Sequence, residues 1–252
     1  MLHRGNYKIQ PVDGMGGGTF GEVQLVKVFN QKDHFCGFFA MKTMKSDARE
    51  IDSFRKRFKR EGYLQAKCSH QNIVSIYICD LDNVEPWFVM ELGDKDVQKL
   101  IVEGPFPREE KLKCILHLLL GMVHIHGLKL LHRDIKPSNM VRVNGIYKIA
   151  DFGLIKNTEP NPGSTQLTAI GQAMGTRGFA APEVAFGHYD YLTDIYAIGT
   201  FIEQVCYDDE TLGNTLFPLI NKCRENQPLH RFQNIQQILN VFMPIYEGEL
   251  NA

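Results

Sequence analysis

The sequence predicts an α+β chain, with strands gathered in its first part and helices dominating the rest. Three stretches carry that expectation. Val23-Gln-Leu-Val-Lys-Val-Phe29 is rich in β-branched and apolar residues and lacks a helix cap, so it reads as a strand. Lys111–His126 places Leu112, Ile115, Leu116, Leu119, Met122 and Val123 on one stripe, the pattern of a buried helix. Met140–Ala150 reads as two short strands around Asn144-Gly145, a strong two-residue hairpin signal.

The elements follow in order. Gly16-Gly17-Gly18-Thr19-Phe20-Gly21 precedes the Val23 strand. A dinucleotide-binding loop would need a helix to begin there. With a strand instead, the glycines form a hairpin turn that lets backbone approach a ligand without a Cβ in the way. Alone, this is an ordinary glycine hairpin. Phe38–Met41 is a second strand, closed by Lys42. A lysine there is costly to bury unpaired. Asp47-Ala-Arg-Glu50 matches a capping box that opens a helix. Ile51, Phe54, Phe58 and Glu61 then recur at three- or four-residue steps, which sets Glu61 on the inward stripe as the partner of Lys42. Gly62 sits inside that helix at a cost of roughly 1 kcal/mol relative to Ala. The basic run Arg55–Arg60 is interrupted by Phe58 and reads as a solvated helix face. Ile73–Cys79 and Trp87–Glu91 are two further strands. His117, His124 and His126 share no ligand face, and core or surface histidine is the better reading.

His132-Arg133-Asp134-Ile135-Lys136-Pro137-Ser138-Asn139, followed by Asp151-Phe152-Gly153, carries the chemistry. The hairpin between them folds Asp151 back beside Asn139. An Asp and an Asn oxygen on adjacent loops can hold Mg²⁺, which keeps water and phosphate for its other positions. Asp134 is then left to orient a hydroxyl nucleophile.

Composition narrows the partners. A formal net charge of −1 over 252 residues argues for neither nucleic acid nor an anionic membrane. Six scattered cysteines, without a CxxC pair, read as thiols of a reducing compartment, hence cytoplasmic. No apolar run approaches a membrane span, and the first residues are neither a signal peptide nor a myristoylation site.

Taken together, Gly16–Val23, Phe39-Ala40-Met41-Lys42, the His132–Asn139 loop, Asp151-Phe152-Gly153 and Ala181-Pro182-Glu183 resemble the signature set of protein kinases. The resemblance runs from about Tyr7 to about Phe242. It implies the bilobal protein-kinase fold. Residues 1–92 would form an antiparallel sheet lobe with one helix, and residues 93–252 a mainly helical lobe. In that reading Gly16–Gly21 cover the ATP phosphates, Lys42 holds them, and Glu61 pairs with Lys42. Val23, Ala40 and Val141 sandwich adenine, Met90 is the gatekeeper, and Glu91-Leu92-Gly93 is the hinge. Asp134 accepts the hydroxyl proton, Lys136 steadies the γ-phosphate, and Asn139 and Asp151 bind Mg²⁺. His132 packs on Phe152. Asp194 holds the catalytic-loop backbone, its plain alternative being a helix N-cap. Arg231 pairs with Glu183. Lys136-Pro137 and Gly175-Thr176 resemble the Ser/Thr branch. Arg133 implies a pocket for a phosphate on the activation segment, with Thr168 and then Thr165 as the acceptors.

Some positions depart from the family pattern. Only 37 residues separate Asp194 from Arg231. The usual extra helix after the central helix is therefore expected to be missing, with no separate helix between Cys206 and Leu219. Leu216–Glu225 is the next helix expected. Gln65 stands where an apolar residue is usual, so with Gly62 it marks the Glu61 helix as soft. An activating partner or homodimer is then an alternative to phosphate control. The leading function is ATP- and Mg²⁺-dependent phosphorylation of Ser/Thr in proteins, with autophosphorylation within reach. The alternatives are a pseudokinase scaffold that binds nucleotide without efficient transfer, and a small-molecule phosphotransferase.

Overall fold

The computed structural model describes residues 2–18, 21–158 and 178–250. The chain divides into two compact units, Met1–Ser69 with Val74–Asp94, and His70–Ile73 with Lys95–Ala252.

The first unit is built on one six-stranded antiparallel sheet. Its strands are β1 (Leu2–Arg4), β2 (Tyr7–Gly17), β3 (Gly21–Asn30), β4 (Phe35–Met44), β5 (Ile76–Asp80) and β6 (Trp87–Met90), in the order β1-β2-β3-β4-β6-β5. Between β4 and β5 lie α1 (Ser46–Arg49) and α2 (Asp52–Lys67). Alternation along the strands supplies two apolar clusters. Ile9, Val26, Val28, Met41, Trp87 and Val89 form one. Met44, Ala48, Phe58 and Phe88 form the other, joined by Phe54, Leu81 and Met90. Strand β4 extends beyond the expected Phe38–Met41, so Lys42 lies within it.

Three expectations for this unit need correction. The capping box does not form: α1 is a single turn, the backbone is extended at Ile51, and α2 starts afresh without a side-chain cap. Asp47 lies inside the first turn, where its carboxylate accepts only from the Ala48 N–H; a cap must precede the helix. Ile51 is consequently 42% exposed. Next, β5 begins at Ile76, because Ile73 belongs to the second unit, where it bridges to Ile149. Finally, the α2 basic run is not simply solvated. Arg55 donates to the carbonyls of Asn83 and Val84, and Lys59 pairs with Asp82 at 2.5 Å, which fastens α2 to the β5–β6 turn.

Neither residue thought to soften α2 does so. A Cβ on Gly62 would stand 2.9 Å from Leu81 Cδ2 and 3.3 Å from Phe88 Cδ1, so glycine is what lets the helix approach the sheet. Gln65 is buried, and its amide donates to the Val74 carbonyl at 3.0 Å. A buried polar group that finds its partner holds position.

The second unit contains β7 (Lys95–Asp96), α3 (Val97–Glu103), α4 (Arg108–Gly127), β8 (Leu130–Leu131), β9 (Met140–Val143), β10 (Ile146–Ile149), β11 (Lys156–Asn157), α5 (Tyr191–Val205), α6 (Glu210–Cys223) and α7 (Ile235–Leu250). Asn144 and Gly145 both take positive φ, 49° and 75°, as a two-residue hairpin requires. Val143 then faces Ile146 and Met140 faces Ile149. On α4 the buried face is wider than one stripe, including Cys114, Leu118 and Ile125, whereas Val123 is 37% exposed. Among the described residues no separate helix lies between α5 and α6. Helix α6 itself starts earlier than expected, at Glu210, because Asp209 caps it by accepting from the Leu212 N–H. Pro218 sits within it.

Candidate active site

In the first unit, the glycine turn is tight. Gly18 N–H donates to the Gly21 carbonyl at 2.9 Å. A Cβ on Gly17 would lie 2.7 Å from that same oxygen, and Gly16 has φ +114°. Both positions therefore need glycine. Thr19 and Phe20 lie outside the described residues. A Cβ on Gly21 would meet Lys42 Cε at 3.1 Å, so the bare backbone there gives the lysine its passage. Lys42 faces Val23 across the ladder, is 9% exposed, and bonds to Glu61, which is 4% exposed. Burial of a lysine is tolerable because a carboxylate meets it. Ala40 pairs with Met90, and Met90 packs on the α2 cluster. Glu91 is held by two bonds with Ser75, its N–H donating to the Ser75 carbonyl and its side chain accepting from the Ser75 N–H. Gly93 follows, half-buried.

The second unit assembles the other candidates around a buried carboxylate. Asp194, 1% exposed, accepts from the N–H groups of His132 and Arg133 at 2.9 and 2.8 Å. Burial alone would raise its pKa. The hydrogen bond and charge of His126, then His132 and the Arg133 N–H, outweigh burial and hold it below the usual carboxylate value. The helix cap weighed as the alternative for Asp194 belongs to Asp190, which accepts from Leu192 and Thr193; Asp194 lies a full turn inside α5. His132 is fully buried, edge-on to Phe152 at 5.2 Å. Desolvation lowers its pKa, so it is neutral near pH 7.

Asp134 receives Lys136 Nζ at 2.8 Å and Asn139 Nδ2 at 2.8 Å. With its amide nitrogen spent on Asp134, Asn139 turns its carbonyl oxygen elsewhere. The Ala150 N–H donates to the Asn139 backbone carbonyl at 2.8 Å, which brings Asp151 beside Asn139. Asp151 and Arg133 both have positive φ, 56° and 69°. Such backbone is uncommon outside glycine, and it aims side chains that a relaxed loop would not. Asn139 and Asp151 supply hard oxygens, the donor type Mg²⁺ takes. Among the described residues no group of three or more His, Cys, Asp or Glu could hold a metal. Val141 is half-buried on β9, opposite Lys148. Further on, Arg231 grips Glu183 with both terminal nitrogens, at 2.6 and 2.9 Å, and donates to the Leu192 and Glu225 carbonyls. Thr165, Thr168 and Thr176 lie outside the described residues.

The sequence reading missed His126. It was placed among unspecific histidines, yet Nε2 lies 3.0 Å from Asp194. Nothing local joins residues 68 apart. Its place on the last turn of α4 was the only available hint.

Comparison with known proteins agrees with this geometry. The protein kinase domain family matches residues 9–245. The chain is 31% identical over 219 residues to serine/threonine-protein kinase PksC of Streptomyces coelicolor, covering 81% of this chain and 37% of PksC. It is 31% identical over 170 residues to PknL of Mycobacterium tuberculosis, covering 66% of this chain and 42% of PknL. It is 31% identical over 207 residues to the probable kinase PknB of Lactococcus lactis, covering 79% of this chain and 31% of PknB. The chain thus spans less than half the length of these relatives.

Proposed function

The chain belongs to the protein kinase domain family, and on that premise we propose that it transfers the γ-phosphoryl group of ATP to serine or threonine hydroxyls of proteins. Phosphoryl transfer needs little covalent help; it needs positioning and charge stabilisation. The observation that carries the reading is the Asp134–Lys136–Asn139 cluster, hung from Asp194 and set beside Asp151. Asp134 takes the proton of the incoming hydroxyl. Lys136, 2.8 Å from that carboxylate, steadies the γ-phosphate. Lys42, paired with Glu61, holds the phosphates that Gly16–Gly21 cover. Val23, Ala40 and Val141 flank adenine, Met90 limits its depth, and Glu91 and Gly93 meet its edge. Asn139 and Asp151 hold Mg²⁺, which when bound neutralises charge on the phosphates. Thr176 serves at the substrate hydroxyl.

Protein substrates follow from the same reading. A cytoplasmic setting fits the six cysteines, all free thiols. No described helix is long and apolar enough to cross a membrane. The test is incubation with Mg²⁺-ATP and a generic protein substrate, followed by assignment of the phosphorylated residue types. Phosphoserine and phosphothreonine support the proposal. Nucleotide binding without transfer would make the chain a pseudokinase, and transfer only to small molecules would remove the protein-substrate reading.

A further inference from the structure

We infer that Tyr189 is a positioning residue, whose ring holds Arg133 and so the catalytic loop. The inference rests on the proposed transfer activity. The Arg133 guanidinium carbon lies 3.8 Å from the centroid of the Tyr189 ring, a short cation–π distance for a group at this site. Two guanidinium nitrogens, Nε and Nη2, are buried and make no hydrogen bond among the described residues. Arg133 as a whole is half-buried; on its buried side the ring face meets the guanidinium, and a cation–π contact strengthens as water is excluded.

Tyr189 is itself firmly seated. Before it, Gly187 turns the chain at φ +78°, and the His188 N–H donates to the Glu183 carbonyl at 3.3 Å. Glu183 is clamped by Arg231. After it, Asp190 caps α5. The ring thus belongs to the rigid α5 platform, the same platform whose Asp194 carboxylate receives the Arg133 N–H. Arg133 is fixed at both ends, backbone by Asp194 and side chain by Tyr189. Asp134, the next residue, takes its direction from that double anchor. Sequence reasoning assigned this arginine to a phosphate on Thr165 or Thr168, which lie outside the described residues; the stacked ring is a partner on the α5 side that it did not foresee.

The test compares wild-type protein, Tyr189→Phe and Tyr189→Leu, each with and without phosphatase treatment. Tyr189→Leu removes the ring quadrupole while keeping an apolar side chain. Its kcat is expected to fall about 10- to 30-fold, with KM for ATP unchanged. Tyr189→Phe restores kcat to within about twofold, since the ring face is the active feature. Equal kcat in Tyr189→Leu and Tyr189→Phe overturns the inference. Should Tyr189→Leu not fold, Tyr189→His and Tyr189→Met at matched thermal midpoint provide the same comparison of ring against non-ring. Absence of transfer in untreated wild-type protein would instead strike the proposed function.

Discussion

Arg231 enters a site where only 2% of its surface is exposed, and five acceptors meet its guanidinium. Burial would raise the Glu183 pKa, but the Arg231 hydrogen bond brings it below the ordinary carboxylate value. Arg231→Met would leave that carboxylate half-buried and unpaired. The expected loss is about 3–5 kcal/mol, measured as a shift in denaturant midpoint; a loss below about 1 kcal/mol would mean the pair is dispensable. Lys42 and Asp151 make the chemical counterpart. Lys42→Ala removes the phosphate anchor and Asp151→Asn a metal charge, so each should lower transfer by at least about 100-fold with the fold intact. Undiminished activity of Asp151→Asn across a Mg²⁺ titration would remove the metal assignment. At this scale the sequence was legible wherever a period or a hairpin brought residues together. Glu61 was found by helical spacing from Phe54 and Phe58, and Asn139 with Asp151 by the Asn-Gly turn. His126 and Tyr189 were not legible, since each meets its partner only through the packing of α4 and α5.

Elements pack here through small and polar residues whose value reverses once the neighbours are known. Gly62 and Gln65 seemed to weaken α2; one permits contact with Leu81 and Phe88, and the other ties the helix to Val74. Gln65→Leu, which sequence reasoning would favour, should destabilise by about 1–3 kcal/mol, because the buried Val74 carbonyl loses its donor. Thermal denaturation measures it, and a rise in midpoint would restore the original view. The α5–α6 crossing is tighter still. A Cβ on Gly199 would lie 2.6 Å from Cys223 Cβ and 2.8 Å from Arg224 Cγ. Gly199→Ala should therefore cost about 1–3 kcal/mol, despite the roughly 1 kcal/mol that alanine gains in helix propensity. Equal or greater stability in Gly199→Ala would show that the helices part freely. The missing helix between α5 and α6 was legible, since chain length alone leaves no room for it. The start of α6 was not, because Asp209 declares itself a cap only where the backbone turns.

Across the whole molecule, three histidines are held neutral by burial. Desolvation lowers the pKa of His132, His117 and His70 from 6.5. The unfolded chain therefore takes up protons before the folded one. Their contribution is full above the unfolded value and is lost as pH falls from there toward the folded values. Asp194, also depressed, adds a further loss only below about its ordinary 3.8. The unfolding midpoint should fall between about pH 7.5 and pH 5.5; a flat or rising midpoint would contradict this burial. The fold class was legible because strand and helix patterns segregate along the chain. That His126 also meets Asp194 was not, because that depends on helices joining distant residues. The measurement that bears most directly on the account is phosphate mapped by mass spectrometry on a protein substrate, after incubation with Mg²⁺-ATP and either wild-type protein or Asp134→Asn. The expected result is phosphoserine or phosphothreonine with wild-type protein and at least about a 100-fold loss with Asp134→Asn. Equal labelling by both, or none by wild-type protein, would contradict the account.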